Sequence, residues 1–399
     1  MTDEIAPFSV KLLRFRNGER FPAVVDCRGL LAAQPNVYAL LSLRPREQAA
    51  ATSEQRLRAV CTALNWAESR ALNFKARIET FELLSSYEVE DLKDALRVSA
   101  RATKGQGAKS VVGAAQFVDR CHAVRDYVAW HAKTALQRIR VGDPRLGEAR
   151  LCLDRFIKMM NDGLPRSGKS DKVVVGDGAL QAMLAAAAPG CDENPFQTQH
   201  QHRNFALLLL YYETGMRRGE ALKLKGQDLN LQGENPSVTV ARRPDDADDR
   251  RRVAPQVKTL GRTIPITKHL AHALRVWITE HRTDARRYPD ARRTPFVFVS
   301  RAGQALGLRT VNDMYELLRK RVAGLPAELT THANRHAANS RFSAGSKELG
   351  WNDAETALAR NYHFGWVKGS DQGVHYNKEY VRKMSEAYVA SIQRKSAPE

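Results

Sequence analysis

The segment Thr331-His332-Ala333-Asn334-Arg335-His336 sets a histidine and an arginine three residues apart, with a second histidine directly after. In a helix, residues three apart share a face, so His332 and Arg335 would present an imidazole and a guanidinium together. Alone, such a basic face is a solvated surface or one that meets a polyanion. A second arginine, Arg217, follows "HRNFALLLLYYETG", which reads as a buried helix ending at Gly215. A short turn after a helix end can aim a guanidinium into a cleft; the plain alternative is a surface pair with Glu220. Lys258 stands near a strand end, before Leu260-Gly261. Guanidinium is planar, permanently charged and rich in donors, which suits it to oxyanions.

A further candidate is "GLPRSGKS", Gly163 to Ser170, which matches the phosphate-cradling pattern GxxxxGK[ST]. That loop works only between a buried strand and a helix, so that backbone N–H groups and a helix start converge on phosphate. Here the order is reversed. The amphipathic "CLDRFIKMMND" precedes it, the β-branched "KVVVG" follows, and no downstream strand ends in an aspartate suited to magnesium. The stretch reads as a basic linker over 166–174 that can touch phosphates in passing.

These groups sit in a chain of 399 residues, long enough for two or three domains. Its 63 Lys+Arg against 44 Asp+Glu give a net charge of +19, the footprint of a protein that meets a polyanion, with nucleic acid the leading partner. An anionic membrane surface is the competitor, but no apolar run approaches the roughly 18 residues a spanning helix needs. The start lacks the pattern of a secretory signal, and a cytoplasmic, nucleoid-associated protein is expected. Five scattered cysteines with no CxxC pair suggest buried thiols, not a disulfide framework or a zinc site.

Residues 1–50 carry apolar runs broken by the turn signal Asn17-Gly18, and no chemistry attaches to them. From Thr52 the periodicity turns helical: Leu57, Val60, Cys61, Leu64 and Trp66 fall near helical spacing, with Thr52 or Ser53 as cap. Further helices are expected in "VEDLKDALRVSA", "VVGAAQFVDRCHAVRDYVAWHAKTALQRI" and "LGEARLCLDRFIKMMND", so 51–165 reads as a helical domain. After Val173 helix and strand mix: "SVTVARR" and "RRVAPQVKTLGRTIPI" are expected strands of a small antiparallel sheet, joined by "PDDADDRRR", and "FVFVS" another short strand. The fold class is α+β, mainly α, with a helical N-terminal domain and a mixed α/β domain over 175–399.

In order along the chain, "ETGMRRGEALKLKGQDL", "VKTLGRTIPI", "THANRH", and "FGW" with a late tyrosine resemble the catalytic domain of the tyrosine recombinases, the phage integrase family. The first block matches the family's TGxRxxE followed by an apolar pair and Asp-Leu; HxxRH is a second match, and the lysine before the Thr-x-Gly strand a third. Together they cover most of 175–385, and the helical domain at 51–165 fits the family's core-DNA-binding domain. The resemblance implies strand cleavage and rejoining of double-stranded DNA through a 3′-phosphotyrosine, with no cofactor, metal or ATP. Arg217 and Arg335 would clamp the scissile phosphate, His332 would add a hydrogen bond or move a proton, and Lys258 would protonate the leaving 5′-oxygen. Tyr376 is the expected nucleophile, with Gly369 and Gly373 giving its approach freedom. Tyr380 and Tyr362 are its rivals. Trp366 matches the family's position one or two turns before the nucleophile, with His363 as the rival. The stretch from Arg335 to Tyr376 is longer than the family commonly shows. His336 is expected to be a buried or supporting histidine, and Glu220 to orient its neighbours. The C-terminal "NKEYVRKMSEAYVASIQ" reads as an amphipathic helix. It would dock either on a neighbouring protomer, giving a homotetramer on two DNA sites, or on its own chain. The competing readings are a type IB topoisomerase-like enzyme, a non-catalytic DNA-binding protein on the same fold, and, behind both, a P-loop ATPase.

Overall fold

A computed structural model describes residues 8–46, 49–99, 111–165, 175–257, 259–366 and 385–393. The chain divides into two compact units, Met1–Ser170 and Asp171–Glu399. It is mainly helical, with two small antiparallel sheets among the described residues.

The first unit opens with a hairpin of β1 (Ser9–Arg14) and β2 (Arg20–Val25), paired from Ser9↔Val25 to Arg14↔Arg20. The Asn17-Gly18 signal sits at its tip, where Gly18 takes φ 93°, a conformation that suits glycine. The hairpin is followed by α1 (Ala33–Tyr38), which runs on as a π-helical turn over Ala39–Leu43. Then come α2 (Ala50–Ser69), α3 (Phe74–Thr80), α4 (Ser86–Arg97), α5 (Ala114–Leu136) and α6 (Arg145–Asn161). Residues 8–46 share the helices' core: Val24, Tyr38 and Leu43 pack with Leu57, Val60 and Tyr127. Helix α2 starts at Ala50, before the expected caps. Ser53 is thus a buried residue within the helix, and Ala49 stands at the N-cap without a side-chain bond. Helix α4 has a full capping box, with Ser85 and Glu88 satisfying each other's backbone N–H. The described part of "GLPRSGKS", Gly163 to Pro165, follows α6, a helix where a phosphate loop needs a strand; 166–174 lie outside the described residues.

The second unit is built on α8 (Thr198–Thr214), preceded by α7 (Asp177–Ala187) and followed by the short α9 (Arg218–Leu222). Leu207, Leu208 and Leu210 of α8 are fully buried, as the apolar run requires. The sheet has order β3-β4-β5, from β3 (Leu229–Asn230), β4 (Ser237–Val240) and β5 (Arg262–Pro265), all antiparallel. After it come α10 (Lys268–Val276), α11 (Leu308–Arg321), α12 (Thr331–Glu348) and α13 (Asp353–Phe364).

Of the expected strands, "FVFVS" is absent as a strand, and "RRVAPQVKTLGRTIPI" is shortened to β5, Arg262–Pro265. "FVFVS" forms only isolated bridges, because successive backbone groups pair with different segments: Val297 N with Leu224 O, and Leu306 N with Phe298 O. Residues 251–257 are irregular. The acidic-basic stretch before them is instead folded in by charge: Lys223 lies 3.5 Å from both Asp246 and Asp249, and Lys225 2.8 Å from Asp246. Arg251 pairs with Asp249 and donates to the carbonyls of Leu222 and Leu306.

A separate small core joins Ala338 and Phe342 of α12, Ala359 and Phe364 of α13, and Tyr388 and Val389 of the helical segment 385–393. The described part of the C-terminal segment therefore packs on its own chain. Tyr388 lies against Gly345, where an added Cβ would stand 2.7 Å from its ring.

Candidate functional site

Helix α8 stops at Gly215, whose φ of 59° suits glycine and where a Cβ would fall 2.7 Å from Phe364 and 2.8 Å from Ala338. Two residues on, Arg217 occupies the N-cap of α9. Its N–H donates to Glu220 Oε2 at 3.2 Å, and its Nη1 stands 3.5 Å from Oε1. The Arg217 side chain is 38% exposed while that of Glu220 is fully buried. The turn thus fixes the arginine's backbone and leaves its guanidinium accessible.

Glu220 is the hub. Its carboxylate accepts from Thr259 Oγ1 at 2.8 Å and pairs with Arg262 Nη2 at 2.9 Å, both side chains of the ion pair being within 1% of full burial. Burial alone would raise its pKa, but the charge and hydrogen bond of Arg262, the Thr259 hydroxyl and the charge of Arg335 hold it below the usual carboxylate value. Arg262 also donates Nε to His363 O at 2.7 Å and Nη1 to Thr259 Oγ1 at 3.0 Å. Arg262, Thr259 and the Gly215 carbonyl escaped the sequence reading. The signal for Arg262 was available: alternation along β5 puts it on the same buried face as Ile264, where a lone charge must find a carboxylate.

Arg335 lies in the first half of α12, 7% exposed. It donates Nη1 to Gly215 O at 2.7 Å and Nη2 to Phe364 O at 2.8 Å, with its guanidinium 5.1 Å from the Phe364 ring centre and 5.8 Å from that of Trp366. Carbonyls and ring faces accept hydrogen bonds without neutralising it. Burial first, then repulsion by Arg217 and Arg262 against attraction by Glu220, bring its pKa down to about 10. Two guanidiniums thus pair with one carboxylate, and a third, Arg335, acts on it through its charge.

The two histidines of "THANRH" differ from expectation. His332 and Arg335 lie on neighbouring sides of α12, but Arg335 turns into the protein while His332 is exposed. His336, expected to be buried or supporting, is exposed as well, its Nε2 3.0 Å from that of His332. One turn separates them, so both follow the outer edge of the helix.

Trp366 is half-buried and stacks on Phe364 with ring centres 5.4 Å apart, which places it beside Arg335. Its rival His363 faces inward: Nε2 lies 3.2 Å from Thr214 O and Nδ1 3.3 Å from Ser385 Oγ, and burial pushes its pKa down to about 3. A neutral ring donating from Nε2 and accepting at Nδ1 satisfies both contacts, so it joins α8, α13 and the segment 385–393. Tyr362 donates to Thr263 O at 3.2 Å, tying α13 to β5. Lys258, Tyr376 and Tyr380 lie outside the described residues.

Residues 180–357 match the family profile described as the phage integrase family. The chain carries a phage integrase family domain. All of α8 to α12, with the sheet and the arginine cluster, falls inside that match. No curated protein matches the chain in sequence. Among solved structures it is similar to the Tn1549 transposon integrase in complex with transposon right end DNA, at 19% identity and TM-score 0.40, over 77% of this chain and 85% of that one. It is also similar to XerA recombinase, at 15% identity and TM-score 0.33, over 90% and 96%. An integrase from mycobacterium phage Brujita gives 16% identity and TM-score 0.34, over 90% and 93%.

Proposed function

We propose that this integrase-family protein cleaves and rejoins double-stranded DNA through a covalent 3′-phosphotyrosine, without metal or ATP. The observation that carries the proposal is the cluster of Arg217, Arg262 and Arg335 around the single carboxylate of Glu220. It has a surplus of positive charge, and its members repel one another. A bound phosphate relieves that repulsion, and a phosphorane, with more charge on its oxygens, relieves it more. Arg335 spends two of a guanidinium's five N–H donors on carbonyls, which leaves others for a phosphate oxygen. Arg217 approaches from the accessible side. Glu220 holds Arg217, and the Gly215 and Phe364 carbonyls hold Arg335.

In this reading His332 hydrogen-bonds the phosphate or moves a proton, and Lys258 protonates the leaving 5′-oxygen. Trp366 packs beside Arg335, and Tyr376 attacks phosphorus. The bond to the 5′-oxygen breaks as the tyrosyl ester forms, so the ester conserves the bond for rejoining. Residues 51–165 and 175–399 would both contact the duplex, with affinity drawn mainly from phosphate contacts and falling steeply with salt. A tetramer on two DNA sites is the proposed working assembly.

The test is a nicked suicide substrate carrying the recognition site. Wild-type protein is expected to become attached at a 3′-phosphate without ATP or Mg²⁺, and Tyr376→Phe to give no adduct. An adduct surviving in Tyr376→Phe and lost in Tyr380→Phe reassigns the nucleophile. No adduct with any candidate site favours a DNA-binding protein without catalysis.

A further inference from the structure

On the outer edge of α12, His332 and His336 are both exposed, with their Nε2 atoms 3.0 Å apart and ring planes crossed at 83°. Histidines at i and i+4 on a helix can direct both nitrogens at one metal ion. With metal–nitrogen bonds of about 2.0–2.1 Å, nitrogens 3.0 Å apart subtend roughly 91–97° at the ion. That angle is close to the cis angle of a square-planar or octahedral centre and a small opening short of tetrahedral. The backbone need not move, because α12 runs unbroken from Thr331 to Glu348 and only exposed rings must turn.

The geometry points to a bidentate site for a divalent transition-metal ion at His332 and His336. Imidazole nitrogen selects Cu²⁺, Ni²⁺ and Zn²⁺ over the oxygen-seeking Mg²⁺ and Ca²⁺, with Cu²⁺ bound most tightly. The present contact is a 3.0 Å approach in which one Nε2 donates to the other, and on metal binding the donor ring moves its proton to Nδ1 or releases it so that both Nε2 lone pairs face the ion. Among the described residues no group of three or more His, Cys, Asp or Glu side chains could hold a metal. Occupancy also removes His332 from the phosphate pocket, so the metal silences strand cleavage. That consequence rests on the proposed function; the binding itself does not.

Tag-free full-length protein titrated with Ni²⁺ by calorimetry, and with Cu²⁺ by electron paramagnetic resonance, is expected to take up one ion through two imidazoles. Since losing an outer hydrogen-bond partner of a metal ligand already costs about 10–100-fold in affinity, losing a ligand in His336→Ala should weaken binding at least about tenfold. Unchanged binding in His336→Ala overturns the site. So does binding that is lost in His202→Ala, since the His202 ring stacks on His281 at 3.7 Å and is the rival pair. On the nicked DNA, Ni²⁺ is expected to suppress adduct formation by wild type, reversibly with chelator, and to spare His336→Ala. Adduct formation that continues at metal saturation overturns the silencing. Metal binding by a protein that forms no adduct under any condition upholds the site and sinks the reaction instead.

Discussion

Replacing Glu220 by glutamine removes one charge from the centre of the arginine cluster and little else. The amide keeps an oxygen for Thr259 Oγ1, now 2.8 Å away, but Arg262 loses its buried partner at 2.9 Å. Breaking a buried pair from one side costs about 3–5 kcal/mol, because the remaining charge is stranded out of water. Arg335 loses the negative charge that offsets its repulsion by Arg217 and Arg262. For a unit of this size about 2–4 °C of Tm goes with each kcal/mol, so the second unit of Glu220→Gln should melt roughly 6–20 °C lower. Thermal unfolding followed by circular dichroism measures it. Sulfate or inorganic phosphate should recover more of the loss in the variant than it adds to wild type, since an anion among the arginines supplies the missing charge. The pH dependence has a definite sign. The folded pKa of Glu220 lies below 4.5, so its contribution is present above that value and disappears as pH falls through the folded value. The two proteins should converge in acid. A drop below about 1 kcal/mol, or no added response to anions, would refute the account of Glu220 as counter-ion to a strained cationic pocket. Glu220→Leu with Arg262→Met separates charge from packing: replacing both partners of a buried pair by apolar residues is often near neutral.

Three further changes probe the scaffold. Gly215→Ala forces a side chain into a left-handed residue and against Phe364 and Ala338; left-handed strain of about 1–2 kcal/mol plus overpacking of about 1–3 should together cost about 2–5 kcal/mol in denaturant unfolding. Glu213 accepts from the N–H and hydroxyl of Thr267 at the start of α10, while burial pushes its pKa up to about 7. A raised folded pKa means its stabilisation is full below 4.5 and lost as pH rises through 7, so Glu213→Gln should flatten the stability profile between those values and be the more stable protein at pH 8. Lys223→Met should cost about 1–3 kcal/mol, less than a lone buried pair, because Asp249 keeps Arg251 and Asp246 keeps Lys225. Faster proteolysis within 241–257 would show that the charge network holds this loop.

The helices were legible where one pattern governed many residues. The apolar run of α8 announces a helix buried on most sides, and Gly215 announces its end. The Leu57, Val60, Cys61 and Trp66 spacing marks α2 with its starting point misplaced by a few residues. Strands were less legible, because a short buried run specifies no partner. "FVFVS" is buried at Phe296, Val297, Phe298 and Val299, so it lacks the alternation of a half-buried strand, and its backbone groups bond to several segments instead of one. The stretch 241–257 is held by ion pairs that only the folded chain brings together.

Site residues divide on the same ground. Arg217 and Arg335 stand out in sequence because short motifs fix their types and spacing, but nothing local says which way they turn. A step of three along α12 was enough to send Arg335 inward and leave His332 outside with His336. What decides the difference is distant in sequence. Gly215 and Phe364 offer carbonyls and a ring face to a cation that has no carboxylate of its own on the helix. Arg262 shows the converse. Its place on the buried face of β5 already demanded an acid, and Glu220, three residues after Arg217, is that acid. The carboxylate that orders the α9 turn therefore also balances a strand 42 residues away. Accessible and buried cations share one buried anion, so Glu220 offsets a repulsion that the proposed phosphate contact would relieve further.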